Sequence, residues 1–288
     1  MTALPATAEE GPLALICGGG SLPLAIADSV SARGRRVFLF PLYGEADPAG
    51  MARYPHHWLY LGQGGKFRRL ARAAGCRDVV LIGSLVRPAL WQVRPDFATL
   101  RELPHIIAAF RGGDDHLLSS IGGLFERHGF RLLGAHDVAP EILMPEGVLG
   151  SKQPTENDRG DIALGFDYLR AAGEFDVGQA VVVADRHVLA VEAAEGTDAM
   201  LARVAEMRAS GRVRSAAGVL VKAPKPGQDR RFDLPSIGPR TVDAAAQAGL
   251  SGIAVVAGST VVAEPEQLIA AANRANVFVI GAPAETTQ

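Results

Sequence analysis

Leu13-Ala14-Leu15-Ile16-Cys17-Gly18-Gly19-Gly20-Ser21-Leu22-Pro23 runs a short apolar segment straight into three glycines and a serine. An apolar run of this length, closed by glycine, reads as a buried strand, and the spacing of Leu22, Ile26 and Val30 predicts a helix with one apolar face behind it. Arg33 and Gly34 end that helix, and Arg36 to Pro41 supplies the next strand. Strand, helix and strand in this order form the building unit of a parallel sheet. The pattern repeats in Trp58 to Leu61, a glycine turn at Gly62 and Gly64, a helical Lys66 to Ala74 and the apolar run Asp78 to Ile82. Helices over Phe97 to Phe110 and Asp114 to His128, joined by Gly112 and Gly113, lead to a short strand from Arg131 to Gly134. Pro140, Pro145 and Gly147 then break the periodicity, which sets a first domain at residues 13–145.

The second half, residues 150–281, is also α/β in character. A polar loop from Ser151 to Asp161 leads into a helix through Ala172, and Ala180 to Ala184 with Val188 to Val191 reads as a hairpin around Asp185, Arg186 and His187. Thr197 or Asp198 is positioned to cap a helix carrying Leu201, Val204 and Met207. Val219 to Val221 begins a strand, Pro239 opens a helix through Ala248, Ile253 to Val256 returns to the sheet, Pro265 opens a last helix and Val277 to Ile280 closes the domain.

Composition narrows the function. The 288 residues are 48% hydrophobic, enough for real cores, and the formal net charge of -2 lacks the broad basic footprint of a sequence-independent nucleic-acid binder. Met1 to Pro12 has no basic residue, unlike a secretory leader, and no run approaches the roughly 18 apolar residues of a membrane span. A cytoplasmic chain is the expectation. Two separated cysteines, Cys17 and Cys76, give neither a disulfide framework nor a cysteine-rich zinc site and read as buried thiols.

Several polar groups are candidates for chemistry. Glycine lets backbone approach a phosphate closely, and the first turn of a helix offers unbonded amides, so Gly18, Gly19, Gly20 and Ser21 form a candidate phosphate cradle; a purely structural turn explains them equally. Pro23 replaces the last glycine of the dinucleotide fingerprint, and the lysine of a Walker A loop is missing, so both of those classes lose ground. Glu45 and Asp47 suit a solvated turn better than a ribose contact, and the adjacent His56 and His57 alternate in direction on a strand, which argues against joint metal ligation. Asp114, Asp115 and His116 follow Gly112 and Gly113 at a helix start, where the two acids serve either the helix end or the binding of substrate or Mg²⁺.

The densest cluster runs from Lys222 to Thr241. Lys222, Lys225, Arg230 and Arg231 stand close to Asp233, so one segment supplies both cations for phosphate and an anion for Mg²⁺ or water. Of only four lysines, Lys152, Lys222 and Lys225 lie at glycine- or proline-rich loops, a distribution that fits phosphate contacts. Among Glu192, Glu195 and Asp198, at a strand end before a helix, Glu195 is the preferred acid, with Thr197 beside it. Glu156, Asp158 and Asp161 form a further set, for most of which surface solvation is the simpler account.

Four stretches carry a family resemblance: Gly18-Gly19-Gly20-Ser21-Leu22-Pro23, Asp176 through Val182, Ala190 through Asp198, and Lys225-Pro226-Gly227-Gln228-Asp229 through Asp233-Leu234-Pro235-Ser236-Ile237-Gly238. Together they resemble the LpxI-type UDP-2,3-diacylglucosamine pyrophosphatases of lipid A biosynthesis. The resemblance implies an N-terminal Rossmann-like domain that holds UDP, a second α/β domain for the acylated sugar phosphate, and a site between them. It implies Mg²⁺-dependent hydrolysis of UDP-2,3-diacylglucosamine to UMP and 2,3-diacylglucosamine 1-phosphate, with water attacking the phosphorus attached to the sugar. The aspartate of the family's Asp-Leu-Pro stretch matches Asp233, which then holds Mg²⁺ or orients water, with Lys222 or a neighbouring cation helping to neutralise developing charge. The same resemblance implies a homodimer in peripheral contact with the inner membrane. A Rossmann-type nucleotide-sugar epimerase or dehydrogenase, and a non-catalytic UDP-sugar-binding protein, are the rival readings.

Overall fold

The computed structural model describes residues 11–85, 93–102, 114–175, 177–214, 217–225, 229–232 and 234–283, with backbone only for 114–120. The chain forms two compact units, the break falling at Pro140; the first unit also takes in a short segment that starts at Asp229.

In the first unit, β1 (Leu13–Cys17), β2 (Val37–Pro41), β3 (Asp78–Ile82) and β4 (Arg131–Leu132) form a parallel sheet in the order β2-β1-β3-β4. Its helices include α1 (Leu22–Ala32), the short α2 (Pro48–Met51), α3 (Gly64–Ala73), α4 (Asp114–Arg127) and the short α5 (Ala135–Val138); residues 97–102 are helical too, and the rest of the helix expected to Phe110 lies outside the described residues. Pro23 lies in the first turn of α1, where its missing N–H costs nothing, and Ile26, Ala27 and Val30 bury one helix face. Leu22, expected on that face, is half-buried, and Ser21 precedes the helix without a capping bond from its side chain. Phe40, Phe67, Val79, Phe130 and Leu132 share a core on one side of this sheet. Because β1 connects to β2 on one side while β3 lies on its other side, the winding changes direction at β1. In doubly wound sheets, that switch point is where ligands collect, beyond the carboxyl ends of the strands.

The second unit is built on a six-stranded sheet in the order β5-β12-β10-β8-β6-β7. β8 (Val219–Lys222), β10 (Gly252–Val256) and β12 (Phe278–Ala282) are parallel, while β5 (Gly147–Leu149), β6 (Ala180–Ala184) and β7 (His187–Val191) add antiparallel pairings. α6 (Glu156–Ala172) covers one face, and α7 (Gly196–Ala209), α8 (Pro239–Gln247) and α9 (Pro265–Ala275) cover the other. Strand side chains alternate between the faces. Val181, Val183, Val219 and Val221 meet Ile162, Phe166 and Leu169 of α6, while Val182 and Leu220 meet Met200, Leu201 and Val204 of α7. Leu201 and Val204 are therefore ordinary core. A two-stranded parallel ribbon, β9 (Ser236–Ile237) with β11 (Val261–Val262), completes the unit.

The structure moves the start of α6 forward from Asp161 to Glu156. Thr155 caps it, its hydroxyl and backbone N–H both engaging Asp158, a reciprocal box that satisfies two otherwise orphaned donors. Asp158 also accepts from the Ser251 hydroxyl at 2.5 Å. Burial pushes its carboxyl up, but the bonds from Ser251 and Thr155 outweigh that and hold it below the usual range. Asp161 is buried too, accepting the backbone N–H groups of Asp185 and Arg186 at 3.1 and 2.7 Å. Both turn residues have left-handed backbone, φ 51° and 62°, the geometry of a tight two-residue hairpin, so Asp161 secures that turn. Surface solvation is thus the wrong account of these two acids. Both cysteines are buried, and burial pushes the thiols up to about 12 for Cys17 and about 11 for Cys76, as expected of inert core groups.

Candidate active site

In the first unit the glycine loop leaves β1 at the switch point and is stitched to the exit of β3. Gly18 N–H donates to Ile82 O at 2.8 Å, Gly19 N–H to Ser84 O at 2.7 Å, and Ser84 N–H returns a bond to Gly19 O at 2.9 Å. A Cβ on Gly18 would collide with the Ser84 carbonyl oxygen. Two of the three glycines are therefore explained by close backbone approach, with their amides committed. Gly20, at φ 87° with open space beside its Cα, and the first turn of α1 after Ser21 are the portion of the loop suited to receive an anion.

Beside this loop stands an aromatic platform that the sequence reading missed. Leu42 N–H bonds Cys17 O, which places the next residue, Tyr43, near the end of β1. Tyr43 is 47% exposed, stacks on Tyr60 with centroids 4.4 Å apart, and lies 5.0 Å from Trp58. The Arg94 guanidinium sits 4.0 Å over the Tyr60 ring. The platform joins three segments distant in sequence, and the nearest available signal was the alternation of Trp58 and Tyr60 on one side of an extended run. Asp47 caps α2 by accepting the Ala49 N–H, His56 engages the Tyr54 carbonyl, and His57 packs on Phe38, so none of these three gathers with the loop. Asp114 opens α4; its side chain lies outside the described residues.

In the second unit the polar groups converge at the carboxyl end of β8. Strand alternation turns Lys222 to the same face as Leu220, towards α7. Its Nζ, in a residue only 5% exposed, donates to Thr197 Oγ1 at 3.0 Å and to the Ser236 carbonyl at 3.2 Å. Thr197 in turn donates its hydroxyl proton to Glu192 Oε1 at 2.7 Å, and Glu192 Oε2 accepts the Gln179 N–H at 2.9 Å. The antiparallel register explains the convergence: Ala180 lies opposite Lys222, so Gln179 and Glu192 at the ends of the hairpin fall on the same sheet edge as the end of β8.

Other candidates separate from this cluster. Thr197 is inside the first turn of α7, and the helix's N-cap position belongs to Glu195, whose carboxylate engages Arg203 at 2.7 Å instead of the Lys222 group. The preference for Glu195 over Glu192 thus runs against the geometry: Glu192 is the acid joined to Thr197. Asp198 pairs with Arg240 at the surface. Lys152 Nζ bonds the carbonyls of Ser251 and Asn276, the residues just before β10 and before Val277 ahead of β12, and so sits at the opposite end of the sheet from Lys222. Lys225 is half-buried three residues beyond β8. Arg231 forks onto Asp229 and bridges to Glu126, which raises its pKa above the ordinary arginine value. Asp233 lies outside the described residues. Among the described residues no group of three or more His, Cys, Asp or Glu comes together to hold a metal.

Comparison with known proteins gives the chain's family. The LpxI N-terminal domain model matches residues 12–142, and the LpxI C-terminal domain model matches residues 145–280. The chain belongs to the LpxI family. Within it, the chain is 44% identical over 271 residues to the UDP-2,3-diacylglucosamine pyrophosphatase LpxI of Caulobacter vibrioides, an alignment spanning 93% of this chain and 96% of that one. A solved structure of the Thermus thermophilus UDP-glucose 4-epimerase complexed with NAD is also matched, at 13% identity and a TM-score of 0.31 over 94% of this chain and 86% of the other, too distant to inform the fold or the site. The LpxI assignment agrees with a mixed α/β architecture in two units. No described helix of this LpxI-family chain is long and apolar enough to cross a membrane.

Proposed function

We propose that this chain hydrolyses UDP-2,3-diacylglucosamine to UMP and 2,3-diacylglucosamine 1-phosphate. The observation that carries the reading is the 44% identity to the Caulobacter vibrioides pyrophosphatase over nearly the full length of both chains. The geometry supports it: a pyrophosphate enzyme needs a positioned cation where charge develops, and Lys222 supplies one at the carboxyl end of a parallel strand. Water adds to the sugar-side phosphorus, the bond to the bridging oxygen breaks, and UMP departs. Lys222 neutralises the phosphate oxygens while Asp233 orients the water or holds Mg²⁺. Magnesium commonly takes one or two carboxylates together with substrate phosphate oxygens, so Asp233 and the pyrophosphate form a sufficient donor set for an ion that supplies charge neutralisation. The first unit holds the nucleotide end and the second the acylated sugar phosphate, in a cytoplasmic homodimer that meets its lipid at the inner membrane surface.

Incubation of the chain with the substrate and Mg²⁺ in ¹⁸O-labelled water is expected to release unlabelled UMP and labelled acyl sugar phosphate, read by mass spectrometry. Label in UMP would move the attack to the other phosphorus, and absence of turnover would return the chain to a UDP-sugar-binding role. Bound NAD with no added-Mg²⁺ requirement would favour an epimerase or dehydrogenase.

The nucleotide assignment is tested at Tyr43. Base stacking on an aromatic ring is worth about 1–3 kcal/mol, so Tyr43→Ala is expected to weaken UMP binding to the full chain at least about fivefold in calorimetric titration. An unchanged Kd would remove the platform from the nucleotide site.

A further inference from the structure

Glu192 is a buried carboxylate, 7% exposed, and the reaction as proposed above leaves it without a task. Its two oxygens have separate partners: Oε1 takes the Thr197 hydroxyl proton and Oε2 takes the Gln179 N–H. A threonine hydroxyl has one proton and two acceptor lone pairs. With the proton drawn to Glu192, the oxygen can meet Lys222 only as an acceptor, as the 3.0 Å Nζ to Oγ1 contact requires. The Ser236 carbonyl is a second acceptor for the same ammonium, at 3.2 Å.

We infer that Glu192 is a positioning residue for Lys222, acting through the Thr197 hydroxyl to fix the direction and place of the ammonium that neutralises the substrate's phosphate charge. This rests on the role given to Lys222 under the proposed pyrophosphatase reaction. The polarity of the relay matters as much as its shape. A glutamine at 192 has one accepting oxygen where the site uses two, so its NH₂ faces either Thr197 or the Gln179 amide. In the first case it donates to Thr197, whose hydroxyl proton then loses its acceptor and no longer fixes the oxygen's orientation towards Lys222; in the second it sets two N–H donors against each other. Either outcome loosens the hold on the cation without changing side-chain volume. Glu195, three residues away and exposed on Arg203, has no part in this.

Steady-state kinetics on the full chain with UDP-2,3-diacylglucosamine and Mg²⁺ test the relay. Glu192→Gln and Thr197→Val are each expected to lower kcat by about thirtyfold with KM changed less than about threefold, as for an interaction expressed in the transition state. The double variant is expected to lose no more than either single one, because both cut the same chain of bonds. Thr197→Ser, which restores the hydroxyl, is expected to recover most of what Thr197→Val loses. Multiplicative losses in the double variant, a loss confined to KM, or failure of serine to rescue would each overturn the inference. Should Glu192→Gln not fold, the valine and serine pair at position 197 carries the same decision, since it leaves the Glu192 to Gln179 bond in place. Lys222→Ala separates the two levels: wild-type kcat there overturns the role of Lys222 and the relay with it. A crippled Lys222→Ala beside an unaffected Thr197→Val overturns the relay alone.

Discussion

Asp233→Asn is expected to lower kcat at least about a hundredfold at saturating substrate while leaving UMP affinity close to that of the parent chain. Asparagine keeps the volume and one acceptor oxygen but removes the charge needed to orient a water for in-line attack or to hold Mg²⁺. The loss of a major contact made only in the transition state has about this magnitude. The argument for this aspartate is chemical and positional. It stands three positions before Ser236, whose carbonyl receives Lys222, and the flanking Phe232 and Leu234 are apolar, a setting in which an idle carboxylate would be expensive. Near-wild-type turnover would reject the assignment. A rise in KM at constant kcat would make Asp233 a ground-state binding group instead.

The largest stability effect is expected at Asp78. Its carboxylate, at the start of β3, receives Arg35 on Oδ2 and Arg131 on both oxygens, the Arg131 bonds measuring 2.7 and 2.9 Å. The Arg35 and Asp78 side chains are each 7% exposed. Removing one member of a buried ion pair costs about 3–5 kcal/mol, because the remaining charge keeps its desolvation without its partner. Asp78→Ala is therefore expected to destabilise the first unit by about 3 kcal/mol in urea denaturation, at the low end of that range. Replacing Arg35 by Met and Asp78 by Leu together should recover much of that loss, leaving the mostly exposed Arg131 to solvent. Burial pushes the Asp78 carboxyl up, but the bonds and charges of Arg131 and Arg35 prevail and its pKa falls below the ordinary value. A carboxylate with a depressed folded pKa stabilises fully above its unfolded pKa of about 3.9 and loses that contribution as pH drops through the folded value. The margin of the parent chain over Asp78→Asn should thus be flat near neutrality and shrink only in acid. A margin that grew with acidification would contradict the ion-pair account.

What was legible in the sequence follows the range of the forces involved. The strands Leu13–Cys17 and Asp78–Ile82 and the start of the last helix at Pro265 could be read directly because local apolar runs and proline placement dictate them, while that helix runs to Ala275, three residues past the expected Ala272. β5 was hidden because three residues among breakers become a strand only by pairing with β12. The site was legible as residue types and much less as partners. Lys222 and Thr197 were candidates from sequence, yet Glu192 could be told from Glu195 only once hairpin register put one acid under Thr197 and left the other on Arg203. Lys152 was grouped with Lys222 among the loop lysines, behind Lys222 at its strand end; strand direction puts them at opposite sheet edges. Gly18 and Gly19 signalled close approach correctly, but what approaches is the Ser84 carbonyl at Gly18, and the Ser84 hydroxyl and Glu45 carbonyl at Gly19.

The Phe232 ring packs into the first unit's aromatic core and lies where any Cβ on Gly122 would meet it at 2.7 Å. During synthesis β4 ends at Leu132, and another 100 residues must be translated before that ring emerges. At ribosomal rates of about 5–20 residues per second this is a delay of roughly 5–20 s. Throughout it the nascent first unit carries an apolar seat that nothing downstream has yet filled. The order of translation is therefore not the order of completion: the unit that begins first finishes only after β8 has left the ribosome, and a fragment cut at residue 145 would hold that vacancy permanently.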